Sequence, residues 1–317
     1  MTHQRDNVSA SVFSAEWLVR QRTLSLASRR LQKTSILRTS SRMLPAGGTE
    51  AVAVRDYVPG DDPRLVDWKL CARRDEVLTR TYQCRADVPM TVLLDISRSM
   101  AGGQGAGGEG SGRSGLKFDL ARQLAGVAGC VAIEAMTSFR LVPFSGRLCR
   151  GLPALRGKWQ ALRLLRFLER LEPDALPTDL AASAGAFVRW GVVRGPVLVI
   201  SDLLDSRGFA HGLNALRHYG YEPRVVHLYA SEDASPACLG DVELLDRETG
   251  TRQRAVITEK AIDRYRELFA RFLTDVTDYC RRHAVPCLQL STDTTPEDAM
   301  RALLGFPIGR QRTAGIG

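Results

Sequence analysis

A short apolar run that ends in an aspartate, residues 91–94 followed by Asp95, constrains the fold of this chain more than any other stretch. A run of apolar and β-branched residues without polar alternation is typical of a strand that is buried on both faces of a sheet. Ser97 and Ser99 follow the aspartate at alternate positions. The pattern therefore predicts a central strand, with one carboxylate and two hydroxyls in the loop at its carboxyl end.

The order of the segments after this strand predicts an α/β domain. Apolar strand patterns at 91–94 and 196–200 alternate with helical patterns along the chain. Parallel strands are joined by right-handed crossovers, so helices cover both faces of such a sheet. We therefore expect one domain with a central, mostly parallel sheet over residues 87–305, and a hairpin at 241–257 that leaves the main sheet.

The other segments are predicted to be an appendage, an insertion and two tails. Residues 1–15 are expected to be a disordered tail and residues 306–317 a loose basic tail. Residues 16–86 are expected to form an N-terminal appendage that begins with a basic helix and continues with β structure. We expect the basic residues of this helix to form a face that is exposed to solvent. The alternative is that they bind an acidic partner, phosphate or lipid. The glycine-rich residues 101–115 predict a flexible insertion.

The composition narrows the classes of protein to which the chain can belong. Its net charge of +9 permits acidic partners without requiring them, and no aromatic residues interleave with the N-terminal basic residues, so we expect no nucleic-acid binding. Seven cysteines without a C-x-x-C pair predict reduced thiols and no zinc site. The N-terminus lacks the apolar core of a signal peptide, and the longest apolar run, residues 124–133, is too short to span a bilayer. We therefore expect a cytoplasmic protein without a membrane span.

A second motif precedes the central strand. It reads Tyr57-x-Pro59-Gly60-Asp61-Asp62-x-Arg64-x-x-Asp67-Trp68, followed by Ala72-Arg73. We expect an Arg64–Asp67 pair and a buried Trp68, which favours a structural staple over a second cation site at the grouped acids. The residues expected to form this structural motif are Gly60, Asp61, Arg64, Asp67, Trp68 and Arg73.

Together the two motifs resemble a known family. The second motif, a strand, and then Leu93-Leu94-Asp95-x-Ser97-x-Ser99-Met100 are similar to the bacterial domain-of-unknown-function family 58, over most of the chain. That family couples such a motif to a von Willebrand factor A (VWA)-like domain. The resemblance thus implies a Rossmann-like VWA domain, and Asp-x-Ser-x-Ser is the signature of its metal-ion-dependent adhesion site (MIDAS).

The resemblance also implies which residues would bind a metal ion. The five ligand positions of the adhesion site correspond to Asp95, Ser97, Ser99, Thr178 and Asp202. All five supply oxygen, which suits Mg²⁺ or Mn²⁺. The two glycines that precede the threonine in the family are replaced by Leu176 and Pro177. Because three of the ligands are neutral hydroxyls, a carboxylate from another protein would be attracted to complete the coordination.

The function implied by the resemblance is a non-enzymatic, metal-dependent protein–protein interaction. The partner would present an acidic residue, and the family adds a MoxR-type AAA+ ATPase as an expected partner, in the assembly or activation of other proteins. Two enzymatic alternatives stay open. Asp95 is a candidate nucleophile for phosphoryl transfer, and the loop 107–114 approaches a P-loop pattern, with Arg113 in the place of its lysine.

Overall fold

The computed structural model describes nine stretches of the chain. These are residues 12–28, 50–59, 62–74, 76–83, 89–101, 116–135, 137–234, 239–245 and 252–305. They belong to two compact units. The larger unit combines Met1–Arg38 with Pro89–Gly317, and the smaller unit is Thr39–Val88. The glycine-rich insertion predicted at 101–115 and the tail predicted at 306–317 lie outside the described residues, apart from Ala101.

Helices and strands alternate along the described residues. The helices are Ala15–Ser28 (α1), Trp68–Arg74 (α2), Arg98–Ala101 (α3), Leu116–Glu134 (α4), Ala161–Glu169 (α5), Leu180–Arg189 (α6), Phe209–His218 (α7), Ser231–Ala234 (α8), Glu259–Arg282 (α9) and Pro296–Leu303 (α10). The strands are Glu50–Asp56 (β1), Leu78–Gln83 (β2), Met90–Asp95 (β3), Phe139–Phe144 (β4), Leu152–Leu155 (β5), Pro196–Ser201 (β6), Glu222–Tyr229 (β7), Gly240–Leu245 (β8), Arg252–Ile257 (β9) and Cys287–Ser291 (β10).

The larger unit is built on a six-stranded sheet with the order β10-β7-β6-β3-β4-β5. Neighbouring strands are parallel except β5, which runs antiparallel to β4 at the edge. Counted in chain order from β3, this is the 3-2-1-4-5-6 order of doubly wound folds, which reverses between β3 and β6. The predicted fold class, a Rossmann-like α/β domain with a central, mostly parallel sheet, is confirmed.

Two apolar cores lie on opposite faces of this sheet. Successive side chains of a strand point to opposite faces, so Val92 and Leu94 of β3 enter one core and Leu93 enters the other. The first core is closed by α1, α4, α5 and α10, and the second by α6, α7 and α9. Every residue of β3 is buried, as expected for the middle of a doubly covered sheet.

Helix α1 belongs to the larger unit and not to the predicted N-terminal appendage. Its first turn is capped by Ser14, whose Oγ accepts a hydrogen bond from the Trp17 backbone N–H at 3.1 Å. Phe13 and Trp17 are buried in the first core, with their ring centroids 4.8 Å apart. The prediction of a disordered tail over 1–15 is therefore wrong for residues 12–15, while residues 1–11 lie outside the described part.

The smaller unit contains an antiparallel pair, β1 and β2, with α2 between them in the chain. Asp62 accepts a hydrogen bond from the Arg64 backbone N–H at 2.9 Å, and Asp67 accepts one from the Leu70 backbone N–H at 3.3 Å. These acids thus hold a turn and a helix start, and no described ion pair joins Arg64 to Asp67. Trp68 is 69% exposed, so its predicted role as a buried anchor is wrong.

Three further predictions can be compared with the structure. Strands β8 and β9 form a separate antiparallel hairpin where an excursion was expected. The described cysteines are free thiols: Cys71, Cys130, Cys149, Cys280 and Cys287. Among the residues with a described structure, no helix combines the length and the apolar character needed to cross a bilayer.

Of the second sequence motif, Gly60 and Asp61 lie outside the described residues, and Arg73 is exposed on α2.

Candidate metal centre

The candidate site lies at the carboxyl ends of β3 and β6, where the strand order of the sheet reverses. Asp95 is the last residue of β3, and Asp202 directly follows β6. Thr178 lies in the loop before α6 and forms a parallel bridge with Asp205, in the loop after β6. Ligands of open α/β sheets bind at such a switch point, because the loops from the two strands diverge there and leave a crevice.

Three hydroxyls and one carboxylate meet at this point. Thr178 Oγ1 lies 2.8 Å from Ser97 Oγ and 3.3 Å from Asp95 Oδ2. Ser97 Oγ is in turn 3.0 Å from Ser99 Oγ. The structure therefore brings together four of the five residues predicted as ligands, from loops that are about 80 residues apart in the chain.

The loop of Thr178 reaches the site although it lacks the two glycines of the family pattern. The N-cap of α6 is Asp179, which accepts a hydrogen bond from the Ala182 backbone N–H at 2.7 Å. Asp205 holds the same helix start by accepting from the Leu180 backbone N–H at 2.9 Å. Asp179 and Asp205 thus accept hydrogen bonds from the free N–H groups at the start of α6. The Thr178 hydroxyl is not needed there and can bond to the oxygens of Ser97 and Asp95.

Asp95 is held by hydrogen bonds to both of its carboxylate oxygens. Oδ1 accepts from the Ser97 backbone N–H at 2.8 Å, and Oδ2 accepts from Ser201 Oγ at 2.5 Å and from Thr178. Complete burial, together with the negative charge of Asp202, raises the pKa of Asp95 to about 7, against the opposing effect of these hydrogen bonds. A cation beside Asp95 would favour its charged form.

The fifth predicted ligand, Asp202, makes a different contact. Its Oδ2 accepts from Lys117 Nζ at 2.9 Å, and the same ammonium lies 3.3 Å from Asp233 Oδ2. Burial alone would lower the pKa of Lys117, but the two carboxylates outweigh burial and raise it, so the lysine is charged. No described hydrogen bond joins Asp202 to the other four predicted ligands, so it acts on them through its charge.

A neutral histidine fixes the backbone of Asp202. His227 Nε2 lies 3.1 Å from the Asp202 carbonyl oxygen, and Nδ1 lies 3.3 Å from Gln289 Nε2. A carbonyl can only accept, so we assign the ring proton to Nε2. Burial lowers the pKa of His227 to about 4, which keeps the ring neutral near pH 7.

The five predicted ligands differ in their access to solvent. Asp95, Ser97, Thr178 and Asp202 are buried, whereas Ser99 is half-buried. Ser99 is therefore the most accessible of the five to solvent.

The residues present fit a hard divalent cation. Two carboxylates and three hydroxyls form an all-oxygen set, as Mg²⁺ and Mn²⁺ prefer. Within the described ranges no group of three or more His, Cys, Asp or Glu side chains could hold a metal ion, so hydroxyls would have to supply most of the protein ligands here. Lys117 already compensates Asp202, which leaves Asp95 and the three hydroxyls as the natural direct ligands.

Sequence reasoning missed several residues that build this site. They are Lys117, Ser201, His227 and Asp233. Two of them carried a signal, since Lys117 is a cation in the first turn of a helix rich in apolar residues and Ser201 directly precedes Asp202. His227 and Asp233 carried none, because nothing local distinguishes them from ordinary strand and turn residues.

The two enzymatic alternatives gain little from the structure. The carboxylate of Asp95 has no exposed surface, and both of its oxygens already accept hydrogen bonds. A nucleophile for phosphoryl transfer has to reach its substrate. The loop 107–114, proposed as a nucleotide-binding alternative, lies outside the described residues.

Comparison with known proteins gives a family and a set of similar proteins. Residues 53–277 match the model of the family described as "Protein of unknown function DUF58". The chain is 27% identical over 284 residues to the uncharacterized protein Rv1480 of Mycobacterium tuberculosis, covering 87% of this chain and 84% of that protein.

Two solved bacterial structures are also similar. One is an aerotolerance-related membrane protein from Bacteroides fragilis, with a TM-score of 0.41 and 17% identity, covering 68% of this chain and 96% of that chain. The other is BatB from Bacteroides thetaiotaomicron, with a TM-score of 0.41 and 18% identity, covering 68% of this chain and 97% of that chain.

Proposed function

Since this chain belongs to the DUF58 family of proteins of unknown function, we propose its role from the geometry of its site: a non-enzymatic module that binds another protein through a divalent cation. The observation that carries the proposal is the meeting of Asp95, Ser97, Ser99 and Thr178 at the switch point of the sheet. Their hydroxyls bond to one another, so they form one continuous group of oxygen ligands.

Each residue has a distinct part in the proposed site. Asp95 supplies the negative charge, and Ser97, Ser99 and Thr178 supply neutral oxygens. Ser201 orients the Asp95 carboxylate, while Lys117 neutralises Asp202. A bound Mg²⁺ or Mn²⁺ would offer a coordination position to an incoming carboxylate.

The ligand set of the site is compatible with an acidic partner. Lys117 is shared by Asp202 and Asp233, so a divalent cation, Lys117 and the carboxylates of Asp95, Asp202 and Asp233 carry no net formal charge together, and an incoming carboxylate would meet no excess of negative charge. Ser99 is the half-buried member of the set, and we place the approach of the partner there. We keep a MoxR-type AAA+ ATPase as the proposed partner, on the strength of the family resemblance.

Titration of Mn²⁺ into the metal-free full chain, followed by calorimetry, tests the metal site. We expect one ion per chain, with the affinity lowered about tenfold or more by Thr178→Val and by the double substitution Ser97→Ala with Ser99→Ala. Ser145→Ala is the matched control, because Ser145 is a buried hydroxyl near the same edge that donates to Asp174 and not to this group.

Two results would contradict the proposal. One is a native chain that binds no Mn²⁺, and the other is an equal affinity in the Thr178→Val and Ser145→Ala variants. Hydrolysis of p-nitrophenyl phosphate that disappears in Asp95→Ala would support phosphoryl transfer instead. Retention of the MoxR-type ATPase by the native chain, reversed by a chelator and absent in Thr178→Val, would support the partner.

A further inference from the structure

We propose that the outer face of α5 binds an acidic, partly apolar segment of another protein. The residues of this face, called the arginine–tryptophan face below, are Leu162, Arg163 and Arg166 of α5, Trp159 in the 3-10 turn directly before the helix, and Arg170 directly after it. It shares no residue with the candidate metal centre, so this proposal does not depend on the proposed function.

The spacing of α5 separates two faces of the helix. Leu164, Leu165 and Leu168 are buried in the first core. Arg163, Arg166 and Arg170 follow one another at intervals of three and four residues, which places them along the opposite face. Over seven residues of helix the three guanidinium groups are spread along about 10 Å.

A groove lies beside these arginines. Its volume is about 420 Å³, and apolar side chains contribute much of its wall: Leu152, Trp159, Leu162 and Phe167. Arg163, Arg166 and Arg170 also line it. Leu152 comes from β5, the edge strand of the sheet, so the groove runs between the sheet edge and α5. A concave apolar wall beside three cations is suited to one bulky apolar side chain flanked by anions.

Trp159 is the most exposed large apolar residue in the described part of the chain. It is 94% exposed, and Leu162, three residues further on at the start of α5, is 56% exposed. Tryptophan and arginine are the residues most enriched at the energetic centres of protein interfaces. Covering this pair would remove apolar surface from water, which favours association.

The three arginines have no acidic partner among the described residues. Some other helical arginines are paired with acids of their own helix, as Arg281 is with Asp278 at 2.9 Å and Arg122 is with Asp119, whereas Arg271 of α9 has no described ion pair. Helix α5 contains a single acid, Glu169, at its last position. The charge of the face is therefore left for an external anion, and the planar guanidinium binds a carboxylate through two parallel hydrogen bonds.

The shape of the face favours a protein segment over a lipid surface or a nucleic acid. A bilayer presents a broad surface, whereas the apolar residues here line a groove. Binding of single-stranded nucleic acid relies on several aromatic side chains that stack on successive bases. Here the groove is lined by two aromatic residues, Trp159 and Phe167, and Phe167 is partly buried against the first core, so side chains of a peptide fit the groove better than a series of stacked bases.

Selection from a displayed library of random peptides tests the proposal directly. The full chain is the bait, and the double variant Arg163→Glu with Arg166→Glu is used for counter-selection. We expect the enriched peptides to combine a bulky apolar residue with several Asp or Glu residues. A synthetic copy of an enriched peptide should bind the native chain at least about tenfold more tightly than the double variant or Trp159→Ser.

A charge-matched control separates this face from general electrostatic attraction. Lys260 and Arg271 are exposed on α9 and are without an ion pair among the described residues. The double variant Lys260→Glu with Arg271→Glu changes the net charge equally, so it should bind the peptide like the native chain. All the substituted residues are exposed, and thermal unfolding of each variant checks that the fold is intact.

Three outcomes would overturn the proposal. The first is a library without an acidic and apolar consensus. The second is a selected peptide that binds both double variants equally. The third is that no peptide binds through Arg163 and Arg166, while phosphatidylserine vesicles or an oligothymidine strand do. This result would assign the face to a membrane or to a nucleic acid.

Discussion

At the scale of single residues, Lys117 places a fixed positive charge beside the candidate metal centre. Its ammonium lies between Asp202 and Asp233, and its side chain is almost completely buried. A buried carboxylate that loses its partner keeps the cost of leaving water without the compensating attraction. Lys117 therefore decides how much negative charge the site presents.

Substitution of Lys117 by methionine should destabilise the chain and make it depend on metal. We expect the free energy of unfolding to fall by about 3 kcal/mol in chelator, because Asp202 is left buried and unpaired. If the proposed site binds Mg²⁺, adding the ion should raise the melting temperature of Lys117→Met more than that of the native chain. Thermal and urea unfolding with and without Mg²⁺ measure both effects.

An exposed ion pair supplies the control for this variant. Arg281 and Asp278 are joined at 2.9 Å on the surface of α9. Since exposed pairs contribute about 0–1 kcal/mol, Arg281→Met should change stability little and add no Mg²⁺ dependence. A loss of stability as small in Lys117→Met as in this control would show that Lys117 does not compensate a buried charge.

The Ser201 hydroxyl is a second residue-scale feature that can be tested. It donates to Asp95 and accepts from the Leu203 backbone N–H at 2.8 Å. Ser201→Ala should lower the free energy of unfolding by about 1–3 kcal/mol, because a buried backbone donor is left unsatisfied. Mn²⁺ affinity should fall as well, since the Asp95 carboxylate loses its orientation. Unchanged stability in urea unfolding would contradict this description of the site.

At the scale of elements, the packing of α4 depends on a glycine. A methyl group at Gly129 would lie 2.2 Å from Leu164 Cδ2 and 2.9 Å from the Phe139 ring. Helix α4 can therefore approach α5 and β4 only because this position has no side chain. The resulting contact holds the first core together and supports the helix that carries the arginine–tryptophan face.

Alanine at Gly129 should destabilise the chain, although alanine favours helices. We expect a loss of about 1–3 kcal/mol from overpacking, larger than the gain of up to about 1 kcal/mol in helix propensity. Gly185 in α6 is the matched control, because its nearest neighbour would be the Arg189 guanidinium at 3.5 Å. Gly185→Ala should stabilise the chain. Urea unfolding that gives both substitutions the same sign would refute this account of the packing.

At the scale of the whole molecule, the chain divides into two compact units, each held together by contacts among its own residues. Both cores of the larger unit are built from its own residues, from Phe13 and Trp17 at one end to Leu303 and Leu304 at the other. The smaller unit interrupts this domain in the chain, between α1 and β3. The larger unit thus has what it needs to fold by itself.

Replacement of residues 39–88 by a Gly/Ser linker of equal length should leave the larger unit folded. We expect a single cooperative unfolding transition, because a flexible linker of unchanged length preserves the connection between α1 and β3 at little entropic cost. Circular dichroism during heating measures the transition, and Mn²⁺ titration checks the site. A chain that fails to fold after this replacement would show that the two units are not independent.

Much of the architecture followed from local patterns in the sequence. The apolar stretches at 91–94 and 196–200 predicted the buried central strands β3 and β6, because only a doubly covered strand tolerates such runs. The alternation of strands and helices predicted the parallel sheet. The hydroxyls at Ser97 and Ser99 could be related to Asp95 because they are close in the chain and follow the same strand.

Only the tertiary structure decided which distant side chains meet. Lys117 and Asp202 are 85 residues apart, and Ser201 and Asp95 are 106 residues apart. No local pattern encodes such pairs, because each contact depends on the order of strands in the sheet and on the side from which a helix packs. For the same reason Trp68 is exposed although its chemistry favours burial, and Trp17 is buried because α1 packs on the larger unit.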